Sequence, residues 1–294
     1  MIPAPVGYLR PRTMTETFAA LADEDAKILA GGHSLIPLMK LRLARPSVLV
    51  DVSQVVPAGI TVTADGGARV GAGTTWRDVA AAPDLAGCFG ALRDGAAATG
   101  DLQVRNRGTI GGGLCHADPA ADIPAAALAL DARLVISSPG AERTESYEGF
   151  VSSPFETSLG GQDVVTAICL PAQPAGTGSA YQSVENAASG YPVAGAAALV
   201  SLDEQARITA CRIGITGAAA RGYRPGAAEA GVLGWSLAAG WDELCARVRP
   251  AAGGVSMPQA GPAGPGYLTA ITRLVTARAV RRAVLRAAGQ EDSP

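Results

Sequence analysis

The 294-residue chain is short of the side chains that build metal sites and disulfide frameworks. It has two histidines, His33 and His116, too few for an ordinary zinc ligand set. Its five cysteines, Cys88, Cys115, Cys169, Cys211 and Cys245, stand at wide intervals with no CxxC pair. An odd count fits reduced thiols, and iron–sulfur clusters usually need clustered cysteines, so none is expected on this chain. Lys27 and Lys40 are the only lysines, which reads as a compositional bias rather than as chemistry. Long apolar runs are missing as well. No stretch of about 18 apolar residues could cross a membrane. The alanine-rich run from Pro124 to Leu130 is far too short, and Met1 to Arg12 has no apolar core of signal-peptide length. The net charge of −2 gives no reason to expect nucleic acid or an anionic membrane as partner. A soluble cytoplasmic protein without membrane insertion is the expectation.

What is present suits a globular fold: 48% hydrophobic residues, enough chain for two or three packed subdomains, and 37 glycines for tight turns. Thr13 and Glu16 form a capping-box pattern ahead of a helix over Thr15 to Ala22. Lys27 to Ala30 and Ser47 to Val52 read as short strands, with a loop and a short helix between them. Gly59 to Gly73 alternates like a hairpin, with Ile60 to Thr63 and Ala68 to Ala72 flanking a turn at Asp65-Gly66-Gly67. Helices are predicted over Trp76 to Ala82 and Leu85 to Ala97. A glycine-rich loop follows from Gly108 to Gly113, then a helix to Leu130 that Asp122 is placed to cap. Arg133 to Ser137 and Asp163 to Leu170 read as strands. Pro171 to Gly178 is the clearest linker. Beyond it come paired strands over Leu199 to Leu202 and Arg207 to Ile215, alanine-rich helices, and a Gly/Pro-rich loop from Gly253 to Gly266. A last helix, Leu268 to Ala288, sets Ile271, Leu274, Val275 and Val284 on one face and arginines largely on the other.

Two glycine-rich segments, about 80 residues apart, stand out. The first, Ala30-Gly31-Gly32-His33-Ser34-Leu35, leaves a strand and enters a helix. Free backbone N–H groups should converge there, and the glycine pair lets the main chain approach a pyrophosphate. It has neither the GxGxxG spacing of a Rossmann turn nor the GK[ST] ending of a P-loop. The second runs from Gly108 through Thr109, Gly111, Gly112 and Gly113 to His116, Asp118 and Asp122. It offers a second set of backbone donors, followed by carboxylates suited to ribose hydroxyls or an adenine amine. Two such loops in one chain suggest a dinucleotide clasped between subdomains. Taken locally, the first is equally readable as a tight turn, and the second as an ordinary loop with a helix-capping Asp122.

Three stretches carry a resemblance: AGGHSLIPLMKLRL at Ala30 to Leu43, QVRNRGTIGG at Gln103 to Gly112, and HADPAAD at His116 to Asp122. With the opening PVGYLRP, they resemble, in order and spacing, the carbon monoxide dehydrogenase/xanthine dehydrogenase medium-subunit family of the molybdenum hydroxylases. The resemblance implies an α+β fold of the vanillyl-alcohol oxidase-like FAD-binding type. Two α+β subdomains, 1–55 and 56–174, would clasp FAD, with a smaller C-terminal α+β domain over 178–290. It implies that Ala30, Gly31, Gly32, His33, Ser34 and Leu35 wrap the pyrophosphate. Thr109, Gly111, Gly112 and Gly113 would hold it from the other side, and Asp122 would bind the adenosine end. Residues near Thr99 and Leu102 would lie close to the cofactor, Val164 or Val165 would border the flavin ring, and Tyr191 would cover it. No residue of the chain is expected to be catalytic and none to bind metal. A molybdopterin-binding large subunit and an iron–sulfur small subunit would be its partners in a heterohexamer. Electrons would pass from the iron–sulfur clusters through this flavin to an external acceptor.

The chain departs from the family pattern in two places. Gly113 stands where the family often has Asn, and Gln182 to Ser189 lacks the lysine and arginines that often follow the equivalent of Tyr181. A cation there would favour a pyridine-nucleotide acceptor, whereas Glu185 works against one. The competing reading is therefore a stand-alone FAD-dependent tailoring enzyme, an oxidase or a cyclase of a bulky metabolite. A third is a degenerate subunit that binds partners without flavin.

Overall fold

Thr13 stops the chain at the end of one short strand and turns it into the first helix. Its Oγ1 accepts from Glu16 N at 3.2 Å, while the Glu16 carboxylate accepts from Arg12 N at 2.8 Å, one residue earlier than a capping box requires. The computed structural model describes residues 2–253 and 264–290. Its first sheet comprises β1 (Gly7–Leu9), β2 (Lys27–Leu29) and β3 (Val48–Asp51), in the order β1-β3-β2 and all parallel. Parallel neighbours need crossovers; α1 (Met14–Ala20) and α2 (Leu35–Lys40) supply them. Leu21, Ala26, Val50 and Val52 form a small core here with Val164 from the next sheet.

That next sheet begins with the predicted hairpin, β4 (Ile60–Val62) and β5 (Ala68–Gly71). The helices α3 (Trp76–Ala81), α4 (Gly90–Ala98), α5 (Leu102–Arg107), α6 (Ile110–His116) and α7 (Ile123–Ala129) follow. Then come β6 (Arg133–Ser138), β7 (Ala141–Ser146), the short α8 (Tyr147–Phe150), the small pair β8 (Val151–Ser153) and β9 (Glu156–Thr157), and β10 (Val164–Leu170). The five-stranded order β4-β5-β10-β6-β7 is antiparallel throughout. Its core joins Val70, Leu134, Ile136 and Ile168 to Leu92, Ile110, Leu114 and the buried alanines of α7.

The third sheet is an antiparallel meander of β11 (Thr177–Glu185), β12 (Pro192–Leu202) and β13 (Ile208–Thr216). After it come α9 (Gly226–Gly231), α10 (Trp241–Arg247) and α11 (Gly264–Ala287). Side chains of β12 alternate between two cores, as the two-residue period of a strand demands. Ala194, Ala196, Ala198 and Val200 meet Val275, Val280 and Val284 of α11, while Ala197 and Leu199 join the core that contains α7. Small residues on both faces let a helix settle on each side. Arg286 of α11 is not turned to solvent with the other arginines. It reaches Asp94 of α4 through two bonds of 2.7 and 2.9 Å, and Asp94 also accepts from Tyr181 N at 3.0 Å.

Several elements differ from the sequence reading. Gly108 to Gly113 is not a loop: α6 begins inside it, capped by Thr109, whose Oγ1 accepts from Gly112 N. Three glycines cost a helix about 3 kcal/mol against alanine, which tertiary packing of these glycines offsets. The helix predicted from Leu85 is two 3₁₀ turns, Pro83–Leu85 and Gly87–Phe89, before α4 starts. Strands β7 and β11 were unanticipated, β7 because it is a charged, exposed edge strand and β11 because its start lies in the linker-like PAQPAGTG. The loop predicted over Gly253 to Gly266 lies largely outside the described residues, with α11 taking in its last three. Among the described residues no helix is long and apolar enough to cross a membrane.

Candidate functional site

All thirteen residues singled out as a binding set line one cavity of about 980 Å³, at the upper end of the range for ligand pockets. The cavity runs between the first sheet and the second. The segment between β2 and α2, the start of α6, the start of β10 and the tip of the β11–β12 hairpin form its walls.

The first glycine segment behaves as its sequence suggests. Among the described residues, the N–H groups of Gly31, Gly32, His33, Ser34 and Leu35 have no protein acceptor, so five consecutive donors are left free where β2 ends. Gly32 has φ +75°, the left-handed region that favours glycine. Gly31 is required by contact: a methyl group there would run into the Arg107 carbonyl and come within 2.7 Å of Gly108 Cα. The two glycine segments therefore touch, backbone to backbone. His33 Nδ1 bonds the Gly31 carbonyl of its own loop at 2.9 Å, a loop-stabilising role rather than one turned to a ligand.

The second segment works differently from its sequence reading. It is not a set of free donors. Ile110 N and Gly111 N donate to the Thr74 and Ala72 carbonyls, and Gly112 N and Gly113 N to Thr109 Oγ1 and the Thr109 carbonyl. What its glycines supply is close packing of α6 on Ala72 and Trp76. Trp76, 5% exposed, lies against Gly108 and Gly113, and a side chain at 113 would enter its indole ring. Glycine at 113 thus follows from tryptophan at 76, which accounts for the missing Asn.

The loop from Asp118 to Asp122 closes one end of the cavity and is stapled to β13. Thr216 Oγ1 donates to the Pro119 and Ala121 carbonyls, and Gly217 N to the Pro119 carbonyl. Asp122 stands at the cap position of α7, but its side chain makes no capping bond. It accepts instead from the Tyr181 hydroxyl at 2.8 Å. Burial pushes its carboxyl up to about 7, the Tyr181 bond pulls it back, and the charge of Glu185 adds to the rise. Tyr191, half exposed, caps the hairpin tip, where Asn186 N donates to its carbonyl at 2.8 Å. Burial, then the charges of Asp118 and Asp122, raise its phenol. Val165 sits at a bulge in β10. Burial lowers the pKa of His116, against the opposing charge of Asp118, and the ring packs on Phe155. Burial holds the Cys115 thiol up at about 12.

Nothing here converges into a nucleophile with its base. The cavity is a binding site in which polar groups fix orientation. Its free donors suit an anion held against β2 and α2, and its volume of about 980 Å³ suits a dinucleotide; the residues present fit FAD. Sequence reasoning missed Trp76, read only as a helix start, together with Asn106 and Asp163, which also line the cavity, as does Asp118, whose carboxylate the sequence had singled out with Asp122. Asn106 lay inside a recognised motif, while nothing in the local sequence marked Trp76. Thr99 lines the cavity, whereas Leu102 is 59% exposed and does not.

Comparison with known proteins places this site in a class. The family model described as the FAD binding domain in molybdopterin dehydrogenase matches residues 4–173. The chain belongs to that family; it is an FAD-binding oxidoreductase subunit. It is 30% identical over 295 residues to the 6-hydroxypseudooxynicotine dehydrogenase complex subunit alpha of Paenarthrobacter nicotinovorans, covering 100% of this chain and 99% of that one. It is 35% identical over 237 residues to the carbon monoxide dehydrogenase medium chain of Hydrogenophaga pseudoflava, covering 80% and 82%. Among solved structures, quinoline 2-oxidoreductase from Pseudomonas putida 86 superposes with a TM-score of 0.89 at 28% identity, covering 98% of this chain and 99% of that one.

Proposed function

We propose that this chain is the electron-transfer subunit of a heteromeric molybdenum-containing hydroxylase or dehydrogenase. A molybdopterin-binding large subunit acts on the substrate. A small subunit relays the electrons through iron–sulfur clusters to this chain, which passes them to an external acceptor. The assembly is a cytoplasmic heterohexamer. The chain divides into units over 1–55, 56–174 and 178–290, each built on one of the three sheets. When bound, FAD supplies the one- and two-electron chemistry, so the protein contributes position, electrostatics and access.

One observation carries the reading: five consecutive backbone donors without a protein acceptor among the described residues line the same cavity as the glycine-rich start of α6 that touches them. Ala30 to Leu35 hold the pyrophosphate through those donors, and Thr109, Gly111, Gly112 and Gly113 admit its close approach. Asp122, Val165 and Tyr191 complete the lining. The test is the visible spectrum of the purified chain before and after dithionite, followed by exposure to air. A flavin spectrum that recovers slowly until an external acceptor is added supports the electron-transfer subunit. Fast recovery in air supports the stand-alone oxidase. A folded, colourless chain that takes up no added FAD refutes both.

A further inference from the structure

Tyr181 is a buried ionisable group to which the reading above assigns no work. It is 2% exposed, and its ring crosses β12 over Gly195, where any side chain would strike the phenol oxygen. Its backbone is fixed as firmly as its ring, through the bond from Tyr181 N to Asp94, which Arg286 also holds. The hydroxyl has one strong acceptor, Asp122 Oδ1 at 2.8 Å. Asp122 lines the cavity and is 5% exposed, and a bond from its own backbone N–H adds to the one from Tyr181. A carboxylate has about four acceptor positions, so one held at the cavity wall by a strong bond keeps capacity to accept from a ligand in the cavity.

The end of the cavity at which this happens is also marked. Thr216 and Gly217 hold the Asp118–Asp122 loop, and Gly217 lies against the backbone of Pro192 and Val193, next in the chain to Tyr191, so Asp122 shares an end of the cavity with Tyr191. An extended dinucleotide cannot present its adenosine to one of these residues and its flavin ring to the other.

We propose that Tyr181 is a positioning residue that holds Asp122 as the polar contact to the bound cofactor at the cavity end that Tyr191 closes. The proposal rests on FAD being the occupant. The other titratable groups at this end are Glu185 on β11, Asp118 and His116 on the approach to α7, and Tyr191 on the hairpin tip. Burial sets the Asp122 carboxyl near 7, where a change of pH alters what it offers the cofactor, while the Tyr181 bond favours its ionised form.

The test measures FAD affinity of the full chain between pH 5.5 and 8.5, a span of roughly 1.5 pH units either side of the Asp122 value. It compares the unaltered chain with Tyr181→Phe, Glu185→Gln and Asp122→Asn, with circular dichroism confirming the fold. The unaltered chain shows an inflection near 7. Tyr181→Phe moves it to higher pH, Glu185→Gln moves it lower, and Asp122→Asn abolishes it. A merely structural tyrosine would lower affinity without moving the inflection. An inflection unmoved by Tyr181→Phe, or surviving in Asp122→Asn, overturns the proposal while leaving FAD binding intact. If Tyr181→Phe fails to fold, Gly195→Ala, whose methyl group would displace the Tyr181 hydroxyl, should move the inflection the same way, and an unmoved inflection overturns the proposal. Failure of the unaltered chain to bind FAD at any pH overturns the proposal together with the reading beneath it.

Discussion

Gly31→Ala is the smallest change that should part the two glycine segments. The added methyl would lie 2.7 Å from Gly108 Cα and 2.9 Å from the Arg107 carbonyl carbon, with the carbonyl oxygen nearer still. Carbon–carbon contact wants about 3.5–4.0 Å, so the segments must separate by about 1 Å. Both partners are backbone, and neither can rotate away. Overpacking of this kind costs about 1–3 kcal/mol. If FAD binding needs the segments apposed, the same free energy is lost from binding, a weakening of roughly 5- to 150-fold. Calorimetric titration of the apo chain with FAD measures it, beside a thermal melt. Gly226→Ala is the control, because a methyl group there meets nothing within 4 Å. A Gly31→Ala chain that melts lower yet binds FAD as tightly as the parent would refute the reasoning, since the contact would then hold the fold and not the cofactor.

Gly32→Asp and Gly112→Asp place carboxylates on the two walls of the cavity and should give folded, colourless protein; retention of flavin by both variants would refute the site assignment. Gly113→Asn should be destabilising in the parent, where the side chain meets Trp76, and far less so in Trp76→Ala. Trp76→Ala alone costs about 3–5 kcal/mol, and a double-mutant cycle by urea unfolding reads the coupling. The fourth prediction concerns pH. Asp122 has a carboxyl raised from 3.8 to about 7 in the folded chain, so the unfolded state ionises first and this residue's contribution to apo stability falls as pH rises from about 4 to 7. The full loss is up to about 4 kcal/mol. Asp122→Asn should therefore gain on the parent between pH 5 and 8 in urea melts; a gap that stays constant would show that Asp122 does not titrate there.

Short strands and caps were legible because they depend on local rules. Thr13, the Asp65-Gly66-Gly67 turn and the alternation of β4 and β5 each carry their own signal. The linked motifs carried the cavity lining, since each marks a segment that must meet the others in space. What failed was anything decided by a distant neighbour. Glycines at 108, 111 and 113 look like a loop until Ala72 and Trp76 are packed against them. Asp122 looks like a helix cap until Tyr181, 59 residues on, draws its side chain away. Arg286 looks like a solvent-facing arginine until Asp94 lies beneath it. Strand β7 has too little buried surface to impose a hydrophobic period.

These distant contacts bear on how much chain the site needs. The family match ends at residue 173, and both glycine segments, Asp122 and Val165 fall inside it. Yet one end of the cavity is fixed from outside that span. Thr216 and Gly217 staple the Asp118–Asp122 loop, Tyr181 orients Asp122, and Ser189, Gly190 and Tyr191 form the overhanging tip. All of these come from the third sheet or the turns at its strand ends. That sheet is pinned in turn by α11, through its packing on β12 and through Arg286 on Asp94. Residues 4–173 alone therefore contain both glycine walls but leave the Tyr191 end open, with Asp122 untethered beside it. The C-terminal third is a wall of the cavity, and a substitution in α11 that loosens the sheet should be felt at Asp122 before it is felt at Gly31.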